Sequence, residues 1–426
     1  MSPGLRWYLI ATGCALAPAG VQLVLYPYLL VVVLEVTAVR VGIAQTAAQL
    51  PMLVLLLVGG VLGDRFEQRR LVMALHGVMA LPPLLLVIVI HAGGFGYATL
   101  LAWGLASGVL AALAVAPREA LLGRVAGANV QRSVNAVLGA QLTAAVAGFA
   151  AGAGAERLGV VPLLLGQAGC LAAAVAAMAG VPASRQAAQP VLPAGATALL
   201  RGAGGPAVGG AIVLAFAVGV LFGGTFTVLL PVMVRSLYDG GAFALAGAFA
   251  APLAGAGTGV ALLFRSVAVR RPARAMMVAG AAGALFVAVL ALDLPAPAFH
   301  AVLGLWGCCG GICVALSRGQ IQMAAPVDRR ARVLALYGLG LAGGAPLGAL
   351  LLGVCAELLG PRPAALVPAA GLLAVLAVLG LTRRVGPTRC VGARFLANSP
   401  RRPDVAEEQR HGRHLPPDRG LRHDHR

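Results

Sequence analysis

Seven His, seven Cys, 14 Asp and Glu and 32 basic residues carry all the ionisable chemistry that this 426-residue chain offers apart from its Tyr. An enzyme needs a nucleophile beside a base, paired carboxylates or a metal cluster. Cys14, Cys170, Cys308, Cys309, Cys313, Cys355 and Cys390 lie mostly in apolar stretches, and Cys308, Cys309 and Cys313 have no accompanying His or Asp. They read as small hydrophobic packing residues rather than as metal ligands or a disulfide framework. His76, His91 and His300 stand at no spacing that pairs them with a Ser or Cys, and His411, His414, His423 and His425 fix no metal geometry. No phosphate cradle occurs either. No catalytic residue, no metal and no cofactor is therefore expected.

What remains is proton traffic. An ionisable group within a bilayer is costly and marks a pathway, and a proton-coupled carrier needs one that is protonated from one side and deprotonated to the other. None of the 14 acids falls in the middle of an apolar stretch. Glu35 is the first candidate for proton coupling and Asp239 the second, each against the plainer reading of a charge at a loop edge. Asp293, Glu156 and Glu357 also stand near the ends of apolar stretches.

The elements that position these groups must be membrane helices. Apolar residues make up 60% of the chain and charged residues 11%, against about 25% charged in a soluble domain. A bilayer crossing takes about 20 apolar residues, because the hydrocarbon is about 30 Å thick and a helix rises about 1.5 Å per residue. Twelve stretches qualify: residues 9–33, 42–63, 71–91, 96–116, 134–155, 160–181, 207–234, 243–263, 275–293, 298–317, 333–356 and 362–382. Arg6 and Ala15-Leu16-Ala17 suggest a signal peptide, but the apolar run continues through Val33, which predicts a retained first helix.

The net charge of +18 comes from Arg alone, there being no Lys. No basic run interleaves with aromatics on a polar face, so the expected partner is a lipid bilayer and not nucleic acid. Of the 23 Arg in residues 1–384, only Arg40, Arg157, Arg235 and Arg362 fall opposite the side of the termini. That bias predicts both termini in the cytoplasm, in an inner or plasma membrane.

The sequence also repeats itself. Pro51 recurs as Pro252, Arg69-Arg70 as Arg270-Arg271, and Ala155-Glu156-x-Leu158-Gly159 as Ala356-Glu357-x-Leu359-Gly360, each 201 residues on. Trp103-Gly104 recurs as Trp306-Gly307. Parallel six-helix halves with a cavity between them follow. The expected units are residues 1–181, a cytoplasmic linker 182–206, a second half 207–384, and a basic tail 385–426, rich in Arg, Pro and His, whose composition predicts disorder.

The segment between the second and third stretches reads Gly59-Gly60-Val61-Leu62-Gly63-Asp64-Arg65-Phe66-Glu67-Gln68-Arg69-Arg70. Asp64, an acid among cations at the membrane edge, needs a partner: an Arg or the positive N-terminus of a helix. The segment resembles the signature loop G-x-x-x-D-R-x-G-R-R/K of the major facilitator superfamily, matched by Gly60, Asp64, Arg65 and Arg69. Glu67 and Gln68 replace the usual Gly and first basic residue, and an acid at Glu67 is similar to the drug and siderophore exporter branch, enterobactin exporters included. The resemblance implies a conformational latch made by Gly60, Asp64, Arg65, Arg69 and Arg118, the last in Pro117-Arg118-Glu119. It also places the cavity on the first, fourth, seventh and tenth helices, which offer Gln22, Tyr26, Trp103, Ser107, Phe222, Thr225, Thr227 and Trp306. Interfacial belts are the alternative use of the Trp and Tyr residues.

Gly139, Gly148 and Gly152 partly resemble the antiporter signature, with Ala153 where Pro is usual. These, and Gly340, Gly344 and Gly348 around Pro346, are expected to be packing surfaces on which the halves rock. Together the resemblance implies a twelve-helix monomer that exports a small lipophilic compound by alternating access, exchanged against protons. Uptake of a small nutrient, or a receptor role without transport, are the alternatives.

Overall fold

A computed structural model describes residues 3–125, 130–182, 206–265, 269, 271–325 and 330–382. The expected linker and tail lie almost wholly outside these residues. Twelve helices are long and apolar enough to span a membrane: α1 (Pro3–Val33), α2 (Ala38–Arg65), α3 (Gln68–His91), α4 (Tyr97–Val125), α5 (Val130–Ala153), α6 (Val160–Ala179), α7 (Val208–Tyr238), α8 (Ala242–Arg265), α9 (Pro272–Val289), α10 (Ala296–Ala324), α11 (Arg330–Leu359) and α12 (Pro361–Leu381). No strand occurs among the described residues. The chain is thus an all-α integral membrane protein, with α1–α6 and α7–α12 as two pseudo-symmetric bundles. The near face is where α1 begins and α12 ends; the far face is opposite.

Proline accounts for the irregular stretches. In α3 the helix breaks at Ala80, since Pro82 and Pro83 bring no N–H to the preceding turn. A π-helical turn at Leu29–Val33 follows Pro27, and another at Thr225–Leu229 precedes Pro231. Such turns widen a helix where its regular ladder is interrupted.

Glycine decides which helices touch. A Cβ on Gly148 would lie 2.0 Å from the Ala17 carbonyl oxygen, and one on Gly348 would lie 1.7 Å from that of Val220. These glycines therefore seat α5 on α1 and α11 on α7, each within one half. This corrects the expectation that they form the surface between the halves, and Gly139 meets nothing within 4 Å. The halves meet chiefly where α2 lies against α11, with a smaller contact of α5 on α8: Gly42 approaches Ala349 and Gly353, Leu53 approaches Gly343, and the Thr46 hydroxyl donates to the Pro346 carbonyl at 2.8 Å.

Candidate functional site

Two adjoining cavities sit between and beside the halves, and Phe226 of α7 belongs to both. The smaller, of about 300 Å³, is lined from α1, α2, α4, α7 and α8. Gln22, Tyr26, Ser107 and Thr227 all reach it, together with Gln45, Gln49 and Phe249. The larger, of about 1160 Å³, runs along α8 and α10 toward the near face and takes in Phe222 and Trp306. Six of the eight expected cavity residues therefore line one cavity or the other.

The remaining two stand behind the wall. Trp103 is buried and meets Tyr26 edge to face with ring centroids 5.5 Å apart, while the Tyr26 hydroxyl donates to the Ala44 carbonyl at 3.2 Å. Thr225 is buried and its hydroxyl donates to the Leu221 carbonyl of its own helix at 2.7 Å. Phe222 and Trp306 form the matching edge-to-face pair in the second half, at 5.3 Å. Each pair puts a flat apolar wall beside a few hydrogen-bonding groups, a surface suited to an organic molecule. Sequence reasoning missed Gln45 and Gln49, although their four-residue spacing on an apolar helix already placed two amides on one face.

The far face is closed by polar contacts across the halves. Arg235 of α7 holds both Glu35, just past the end of α1, and Asp239, just past its own helix. Glu35 and Asp239 both adopt positive φ, 46° and 47°. The two proton-coupling candidates are thus brought together on one guanidinium.

A second closure uses the repeated Ala-Glu-x-Leu-Gly segment. Glu156 accepts from the Ala242 N–H at the start of α8 at 2.9 Å, and Glu357 accepts from the Val39 N–H in the first turn of α2 at 3.2 Å. Each half lends a carboxylate to a helix N-terminus of the other, where free N–H groups and the helix dipole favour an anion. The rest of the segment supports this. Ala155 and Ala356 are buried, and Gly159 and Gly360 take φ of 84° and 85° to turn the chain into α6 and α12. A Cβ on Gly241 would fall 1.6 Å from the Glu156 carboxylate, so any larger residue there would displace the carboxylate from this position.

On the near face, α2 and α3 are joined through Phe66 and Glu67 alone, with no glycine in the turn. Glu67 takes an extended conformation and pairs with Arg70 at 2.8 Å. Arg69 donates to the Ala179 carbonyl at 2.8 Å, tying the turn to the end of α6. The Arg118 carbonyl accepts from the Tyr8 hydroxyl at 2.8 Å. The side chains of Gly60, Asp64 and Arg65 lie outside the described residues. Among the described residues no group of three His, Cys, Asp or Glu is placed to hold a metal.

Two helical halves around a central cavity, pinned together at one end, are an arrangement suited to a membrane transporter. Residues 8–344 match the Major Facilitator Superfamily, and the chain belongs to that family. Its fold is similar to that of the nucleoside transporter NupG, with a TM-score of 0.71 at 14% identity over 89% of this chain and 99% of that one. It is also similar to a bacterial homologue of the human lysosomal transporter Spinster in an inward-facing, unoccupied conformation (0.65, 11%, 90% and 98%). The human organic anion transporter MFSD10 gives a TM-score of 0.60 at 12% identity, over 88% of this chain and 99% of that one. No curated protein matches the chain.

Proposed function

We propose that the protein is a secondary active exporter of a small lipophilic compound, working by alternating access and driven by proton exchange. The observation that carries this reading is the pairing of a closed far face with an aromatic cavity that extends to the near face. With both termini cytoplasmic, as the Arg bias predicts, this is an inward-facing arrangement that takes its substrate from the cytoplasm or the inner leaflet. Asp64 and Arg118 act as the latch of the opposite state, closing the near face when the far face opens. Arg235 with Glu35 and Asp239 is the place where a proton loosens the far face, because neutralising either acid weakens its hold on the shared guanidinium.

Uptake of a small polar nutrient is the second reading, favoured by Gln22, Gln45, Gln49, Ser107 and Thr227 around the smaller cavity. The test is a susceptibility and accumulation screen in a host stripped of its own pumps, followed by inside-out vesicles under an imposed proton gradient. Substrate accumulating inside those vesicles supports export, and substrate leaving them supports uptake. No movement of any compound in a broad panel would overturn both.

A further inference from the structure

Among the described residues, the two cavities between them have one charged residue in their lining, Arg318 of α10. It stands about 18 Å along the helix from Trp306, twelve residues at about 1.5 Å each, with Gln322 one turn beyond it toward the mouth. Between Arg318 and Trp306 the wall is apolar, and added Cβ atoms at Gly257, Gly310 and Gly319 would meet nothing within 4 Å. The cavity is therefore a long apolar slot with a cation near its open end. The topological bias accounts for an Arg at this membrane edge, but not for its lining the slot.

We propose that the slot binds an amphipathic organic anion, with its acid group on Arg318 and Gln322 and its apolar body along α10 toward Trp306. The inference deepens the transport reading and rests on it. Arg318 and Gln322 are exposed at the near-face end of the slot, within reach of an incoming anion, and the planar guanidinium fork matches a carboxylate or sulfonate with two parallel hydrogen bonds while the apolar wall takes the rest of the molecule. A cationic drug would meet repulsion with no acid among the described lining residues to offset it. A neutral lipophile would gain the wall alone.

The test is calorimetric titration of the full chain in lipid nanodiscs, against empty discs, with 2-naphthoate, 2-naphthamide, dodecanoate and dodecanamide. At least one acid is expected to bind tenfold or more tighter than its amide. Arg318→Gln should erase that preference while sparing the amide, Arg318→Lys should keep part of it, and Gly310→Leu should weaken acid and amide together. The tighter acid identifies the source, a compact soluble acid or an acyl chain from the lipid. Equal affinity of acid and amide in the unaltered chain, or a preference that survives Arg318→Gln, would overturn the proposal. Flux in proteoliposomes separates the two readings. An acid that binds through Arg318 but never crosses leaves the site standing and defeats transport, whereas amides carried in preference to acids defeat the site and leave transport standing.

Discussion

At the residue scale, identical glycines have opposite expected effects because of what each one faces. Gly348→Ala drives a methyl group against the Val220 backbone, which cannot swing aside, so a loss of about 1–3 kcal/mol is expected from overpacking. Gly139→Ala meets open space in mid-helix, and a gain of up to about 1 kcal/mol is expected from helix propensity. Thermal unfolding of the two purified variants checks the pair, and a Gly348→Ala protein as stable as the parent would contradict the packing described. From sequence both positions were expected alike to lie on packing surfaces between the halves. Their partners depend on how α5 and α11 are rotated, which no spacing within one helix reveals. The cavity residues were more legible, since Gln22, Tyr26, Ser107 and Thr227 are polar or amphipathic groups in stretches that otherwise have few. Thr225 and Thr227 both bond the carbonyl four residues back, and Thr225 alone fails as a liner because its face of α7 is turned into the packed interior.

At the element scale, the spans were legible because bilayer thickness sets a length that twenty apolar residues must meet. The start of α1 lies six residues before the expected one, because an apolar window discounts Arg6 and Trp7 although both are helical. The break in α3 and the two π-helical turns depend on how proline-freed carbonyls are satisfied, and apolarity does not register them. The acids of the repeated Ala-Glu-x-Leu-Gly segment were visible as a duplication, but not as crossed caps, because each partner lies in the other half. Removing one such carboxylate is expected to cost the far-face closure about 1 kcal/mol, roughly a fivefold shift in population. With Gln45→Cys as reporter, Glu156→Ala or Glu357→Ala should raise labelling by an impermeant maleimide from the far side about fivefold, and the double variant should raise it further. Unchanged labelling would mean that the caps are incidental to gating. Glu35→Gln belongs to the same set of contacts: exchange driven by a proton gradient should fall while binding persists. A pH profile of exchange identical to the parent's would remove Glu35 from the coupling.

At the scale of the whole molecule, the halves must part at one face as they meet at the other, because a continuous passage would dissipate any gradient. The far face is closed by contacts spread from Glu35 to Leu53 and at Glu156 in one half and from Arg235 to Glu357 in the other, so they must release together. A short bifunctional thiol reagent bridging Val39→Cys and Glu357→Cys should hold that face shut. Net flux should then stop and return when the bridge is reduced, while ligand binding from the near side persists, since the slot along α10 stays open. Asp64→Asn should have the complementary defect. It weakens the proposed near-face latch without altering side-chain size, so flux should fall while membrane insertion is normal and the far-facing state becomes rarer by spin-label distance measurement. Full flux through the bridged protein would show that the halves need not separate at α2 and α11, and the passage would then have to be sought within one bundle.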